Sequence, residues 1–205
     1  MPPKKSQAYL AEAHQLELAN DVPGAIKVYK AFLSRHRDHP NALKVRIRTA
    51  QLCVMNGNHQ DAIKLIQTSG AAGQKDLRMM YTLGQACAYA GRLNDAREAI
   101  ELVLKIDQDY VPAIARLATI MQYQGSTEDA VKMIDDAYAR GLDAWELDHT
   151  LGELAPKIGR VDEAVDRIKP RLEDSTINGS ARVELGFNLA SLLERQKDYS
   201  GAWAV

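Results

Sequence analysis

Four alanines, Ala62, Ala96, Ala130 and Ala164, recur every 34 positions, and each is followed four positions later by isoleucine: Ile66, Ile100, Ile134 and Ile168. The register extends outward, at slightly wider spacing, to Ala25 before the first and to Ala202 after the last. Five positions before each anchor come Asn20, Gly57, Gly91, Gly125, Gly159 and Lys197. Twelve before come Ala13, Ala50, Gly84, Ala118, Gly152 and Ala190, and thirteen before come Glu12, Thr49, Leu83, Leu117, Leu151 and Leu189. Small and large residues in register at this period define an array of supersecondary units. One unit alone cannot bury its apolar face, so the chain must stack them.

Each position has a physical task. A glycine five positions before the anchor ends a first helix, because the residue after a helix commonly takes a left-handed conformation. A second helix starts after a short turn, with Asn94, Thr127 and Asp162 placed to cap it. Pro23 suits the first turn, where its missing N–H is not needed. Gly84 and Ala96 are small where two helices of one hairpin cross. Small side chains there let the axes approach to about 8–10 Å. The larger Leu83, Cys87 and Ile100 fill the flanks. Aromatic residues make up only 6% of the chain. That scarcity, with rare β-branched runs, agrees with helices rather than sheet.

A helical hairpin with this period and these small positions resembles the tetratricopeptide repeat. Tyr81, Leu83-Gly84, Ala96 and Ile100 match that pattern, as do Leu151-Gly152 with Ala164. The resemblance implies an all-α fold, a right-handed α-solenoid of five complete hairpins and a partial sixth. Residues 1–6 form a flexible tail and 7–205 the array, with repeats near 6–39, 43–76, 77–110, 111–144, 145–178 and 183–205. The first repeat departs from the pattern at Glu12 and at Arg37, with Pro40 nearby. Pro156 and Pro170 should bend or shorten the helices of the fifth. SGAAGQKD (69–76) reads as a loop after a short helix.

By the same resemblance, the first helices line a concave groove. Fixed offsets from the anchors place Lys44, Arg48 and Gln51 there from the second repeat, and Arg78, Tyr81, Gln85 and Tyr89 from the third. Arg116 and Tyr123 come from the fourth. This basic strip with tyrosines fits an extended, partly acidic peptide of a partner protein. The bland alternative is a solvated helix face. The fifth and sixth repeats place Glu146, His149, Glu153, Glu184 and Glu194 at the same offsets, an acidic surface. The carboxylate clamp of chaperone-binding relatives is not reproduced: Arg116 suits it, whereas Ile47, Gln51, Thr82 and Pro112 do not.

The expected function is a protein-interaction scaffold, not an enzyme, with no cofactor and no metal. His36 and His39 lack a third ligand. Cys53 and Cys87 occupy equivalent positions in adjacent repeats, too far apart for a disulfide. The chain carries no phosphate-binding glycine loop, no zinc-protease motif and no nucleophile elbow. A formal net charge of −1 and a pI near 6.5 speak against nucleic acid as the partner. No stretch approaches the roughly 20 apolar residues of a membrane span, and the N-terminus is not a secretory signal, so a cytoplasmic protein is expected. Asn178-Gly179-Ser180 then reads as a turn rather than a glycosylation acceptor.

FNLASLLERQKDYSGAWAV, at the C-terminal end, resembles the last repeat before the catalytic domain of bacterial tetratricopeptide-repeat sulfotransferases. The alternative function is thus the repeat region of a larger enzyme, contributing substrate binding or dimerisation. Leu185, Leu189, Leu192 and Leu193 lie in a repeat whose second helix is only a stub, so they are expected to stay partly uncovered. Continuation of the chain past Val205, a partner, or a second copy forming a homodimer through this end would cover them.

Overall fold

The computed structural model describes residues 5–70, 75–197 and 201–202. Among them are eleven α-helices and no strand. They are α1 (Ser6–Leu18), α2 (Val22–Arg35), α3 (Ala42–Met55), α4 (His59–Gln67), α5 (Leu77–Tyr89), α6 (Leu93–Ile106), α7 (Val111–Tyr123), α8 (Thr127–Ala139), α9 (Trp145–Leu154), α10 (Val161–Glu173) and α11 (Gly179–Arg195). The tail at residues 1–6 falls mostly outside the described residues, and its last member, Ser6, already begins α1. Much of the sixth repeat's second helix also lies outside them.

The chain divides into two compact units, residues 1–106 and 107–205. In the first, α1–α2, α3–α4 and α5–α6 form hairpins, and α3 packs on both α2 and α5. In the second, α7–α8 and α9–α10 form hairpins, and α9 packs on α7 and α11. All six anchors except Ala202 are completely buried. The matching isoleucines Ile66, Ile100, Ile134 and Ile168 are at most 1% exposed. Each such burial contributes about 1.5–3 kcal/mol.

The helix ends obey the repeat register, not residue type alone. Gly57, Gly91, Gly125 and Gly159 have φ between 75° and 87°. Asn20 and Lys197, at the same register position, adopt φ of 58° and 63°. A side chain there costs on the order of 1 kcal/mol, tolerated because the hairpin geometry demands the turn.

The crossing of α5 and α6 is as the small residues imply. A Cβ on Gly84 would lie 2.6 Å from Ile100 Cγ1 and 3.3 Å from the Ala96 carbonyl oxygen. Cys87 and Ile100 are buried beside it, and Leu83 is half-buried. Gly152 differs: its small size accommodates Asn188 of α11, whose Cγ would lie 2.7 Å from an added Cβ. Asn188 Nδ2 donates to the His149 carbonyl at 2.8 Å, so this glycine admits a hydrogen bond between first helices.

Several local expectations need correction. Thr127 begins α8 after Ser126, and Asn94 and Asp162 sit inside the first turns of α6 and α10, so none occupies the cap position. Asp162 instead accepts from Gln196. The side-chain caps lie at Asp21, Asp76 and Asn178. Asn178 accepts from the Ala181 N–H at 2.9 Å, which makes the Asn-Gly-Ser triplet a helix start rather than a simple turn. Pro156 does shorten α9, which ends at Leu154 and tightens into a 3₁₀ turn over Ala155–Lys157. Pro170 does not shorten α10, which runs on to Glu173.

Leu185, Leu189, Leu192 and Leu193 are also not uncovered: each is at most 3% exposed. They face the interior of the second unit. The open apolar side chains of α11 are Val183 and Phe187, at 57% and 77% exposure.

Candidate functional site

In the first unit the expected groove residues come together on α3 and α5. Lys44 and Arg48 are exposed along α3, and Gln51 is half-buried one turn further on. Arg78 is exposed near the start of α5, followed by half-buried Tyr81 and Gln85 and by exposed Tyr89 at its end. Steps of three or four along a helix keep such positions on one face. Between the two helices lies an open recess of about 640 Å³, lined by Arg48, Gln51, Val54, Met55, Gln85 and Tyr89, with Gly57 and His59 at one end. His59 stacks on Tyr89 with ring centroids 5.2 Å apart and an interplanar angle of 23°. The stack holds the tyrosine as a fixed wall.

The basic character expected of this strip is largely offset inside the molecule. Arg48 Nε donates to Glu17 at 2.8 Å, and a second nitrogen of the same guanidinium engages the same oxygen. Tyr29 donates its hydroxyl to Glu17 at 2.7 Å. Burial pushes the Glu17 carboxyl up, but the hydrogen bonds from Arg48 and Tyr29 outweigh it and hold the group below the usual carboxylate range. Burial and the Glu17 hydrogen bond raise the Tyr29 phenol to about 12. Arg78 pairs with Asp76 at 3.1 Å, while the other Asp76 oxygen caps α5 through the Arg78 and Met79 amides. Against a burial that raises it, these bonds hold the Asp76 carboxyl low. Lys44 makes no ion pair among the described residues.

Arg116, half-buried, and Tyr123, 68% exposed, lie on α7 in the second unit. The acidic set belongs to the same unit: Glu146 and His149 are half-buried on α9, Glu153 is exposed there, and Glu184 and Glu194 are exposed on α11.

Sequence reasoning missed Val54, Met55 and His59 as lining residues, and it missed Leu18, which shares the register position of the expected Tyr89 and Tyr123. Leu18, Met55, Tyr89 and Tyr123 each stand seven positions before an anchor, at the last position of a first helix, and are 54% to 71% exposed. The signal was available in the register, since Leu18 and Met55 stand at the same offset from their anchors as Tyr89 and Tyr123.

The remaining candidates take structural places. His36 and His39 flank Phe32, with ring centroids 5.3 and 5.2 Å from it, and His39 Nδ1 accepts from the Asn41 amide at 3.1 Å. Among the described residues, no three His, Cys, Asp or Glu side chains gather as a metal site. Cys53 and Cys87 are buried and unpaired, and burial raises both thiols. No helix among the described residues is long and apolar enough to cross a membrane.

This arrangement, helical hairpins with small residues at the crossings and an open face on the first helices, is that of tetratricopeptide-repeat proteins. Residues 10–76 match the tetratricopeptide repeat family. Solved structures share the fold over nearly the whole chain. A thermophilic tetratricopeptide-repeat protein of Thermus thermophilus is 21% identical, with a TM-score of 0.68 over 90% of this chain and 99% of that one. The MamA protein is 18% identical, with a TM-score of 0.65 over 95% and 94%. A tetratricopeptide repeat protein from Parabacteroides merdae is 12% identical, with a TM-score of 0.73 over 97% and 76%. No curated protein matches the chain in sequence. The chain has the fold of tetratricopeptide-repeat proteins.

Proposed function

We propose that the protein is a non-catalytic, cytoplasmic scaffold that binds a segment of a partner protein on the α3–α5 face of its first unit. The observation that carries this reading is the open recess between Met55 and Tyr89, walled by the stacked Tyr89–His59 pair. Fixed aromatic walls, amide groups and exposed apolar side chains around one recess are the composition of protein-binding surfaces. The two arginines in the strip act mainly to fix α3 against α1 and to start α5. The acidic preference expected from the sequence therefore rests on Lys44.

Selection from a random peptide display library on the purified chain tests this, followed by amide hydrogen exchange of the chain with each selected peptide. Protection concentrated on residues 44–59 and 78–89 is expected. If selected peptides leave these residues unprotected, the face is not the binding surface.

A further inference from the structure

Resting on that reading, we infer the chemistry of the bound segment: an extended, uncharged stretch presenting an apolar side chain every third residue. Three independent features of the α3–α5 face converge on it.

First, the amides. Gln51 and Gln85 stand eleven positions before their anchors, at equivalent places on neighbouring helices. Neither side chain has a hydrogen-bond partner among the described residues, and both line the recess. A carboxamide offers one acceptor and two donors, matching the main-chain N–H and C=O of one peptide unit. Packed helices lie about 8–10 Å apart. Three residues of a polyproline-II segment advance about 9.3 Å and return the side chain to the same side. Each glutamine can thus read the main chain of equivalent residues three apart. A β-strand turns over within three residues and would present opposite sides to the two amides.

Second, the apolar row. Leu18, Met55 and Tyr89 are exposed at 69%, 71% and 54%, one for each first helix of this unit. They repeat at the same helix spacing as the amides, so a segment held by Gln51 and Gln85 places its side chains against Met55 and Tyr89 in turn. The His59 stack keeps Tyr89 in place, which spares the ordering cost a mobile ring would bring.

Third, the charge. Glu17 and Asp76 already neutralise Arg48 and Arg78. These carboxylates, which also hold the fold through other hydrogen bonds, offset the charge an acidic segment would seek. Lys44, which makes no ion pair among the described residues, does not line the recess, so the charge on the recess walls is compensated and the complementary occupant there is uncharged.

The experiment is fluorescence anisotropy with the tightest peptide from the display selection, synthesised with a fluorophore. We expect apolar residues at a period of three with uncharged neighbours. Raising salt from about 0.05 to about 0.5 M should change affinity less than about threefold. Gln51→Ala with Gln85→Ala should weaken binding at least about tenfold, as the loss of neutral hydrogen bonds at two side chains requires. Met55→Glu should weaken it at least as much. These side chains are at least partly solvent-facing and alanine favours helix, so an unchanged thermal melt separates loss of binding from loss of fold. Peptides rich in Asp and Glu whose affinity collapses with salt and with Lys44→Glu would overturn this inference while leaving the scaffold reading intact. Peptides whose footprint avoids α3 and α5 would overturn both. Binding on this face that is indifferent to the glutamine pair would overturn the main-chain reading.

Discussion

Arg171 Nε donates to Asp148 Oδ2 at 2.7 Å, and the accepting side chain is only 1% exposed. The other Asp148 oxygen accepts the Tyr138 hydroxyl at 2.8 Å. Arg167 lies over the Tyr138 ring at 3.4 Å, and Arg171 also engages Asp143. One buried carboxylate thus ties α8, α9 and α10 together. Deleting one member of such a set leaves the others desolvated without compensation, which costs about 3–5 kcal/mol. Asp148→Ala should therefore lower the unfolding free energy, measured by denaturant titration, by a large share of a typical stability of about 5–15 kcal/mol. Arg171 keeps Asp143, so the lower end of the expected loss applies. A loss below about 1 kcal/mol, the size of an exposed ion pair, would show that burial adds nothing to this network.

At the α5–α6 crossing, Gly84→Ala gains about 1 kcal/mol of helix propensity. It also drives a methyl group into Ile100. Overpacking of this kind costs about 1–3 kcal/mol, so the net effect is mild destabilisation. Trimming the obstacle should relieve it: Ile100→Ala removes both Cγ1 and Cδ1, so Gly84→Ala with Ile100→Ala should be more stable than the two single losses summed. A double-mutant cycle by urea unfolding measures the coupling, expected at about 0.5–2 kcal/mol. Strict additivity would mean that the two residues do not meet.

Much of this fold was legible because the repeat imposes identical geometry on non-identical residues. The register located the buried alanines and the glycine turns, whereas the left-handed conformations at Asn20 and Lys197 emerged only in the structure. What stayed hidden depends on pairing across repeats. Arg48 and Glu17 belong to different repeats, and nothing in either stretch alone marks them as partners. Reading the strip as free positive charge followed from treating each helix alone. Asp148 had a signal: it stands sixteen positions before its anchor, where Tyr9, Met80 and Ile114 are buried. A carboxylate at a core position announces a buried network. Capping failed because the turn is set by the preceding glycine, so the residues after it start the helix without a side-chain cap.

Asn20 and Lys197 stand where the other repeats place glycine, with φ of 58° and 63°. Replacing Lys197 with glycine removes a left-handed strain on the order of 1 kcal/mol, against a smaller entropic gain of the unfolded chain. Lys197→Gly should raise the melting temperature by a few degrees. Asn20→Gly should do less, since asparagine tolerates this conformation. A fall in melting temperature for Lys197→Gly would show that its side chain contributes more than its backbone costs.

The Tyr29–Glu17–Arg48 chain makes the first unit sensitive at both ends of the pH scale. Glu17 is held below its ordinary pKa by its partners in the folded state. Its stabilisation is present above the unfolded carboxylate pKa of about 4.3 and is lost as pH falls through the folded value. Tyr29 is shifted the other way, to about 12. Its contribution is complete below the unfolded value of about 10 and disappears as pH rises through the folded one. Solvent screening of the partly open hydroxyl limits that contribution to roughly 1 kcal/mol. Glu17→Gln should therefore lower the melting temperature at pH 7 and lower it progressively less below about pH 4. Tyr29→Phe removes the hydroxyl while leaving the Arg48–Glu17 pair, and should flatten the alkaline limb while weakening the acid limb only in part. Melting temperatures of the three proteins from acid to alkaline pH give the comparison. If Glu17→Gln costs the same at every pH, the carboxylate is not held by its charge, and packing alone sets the α1–α3 contact.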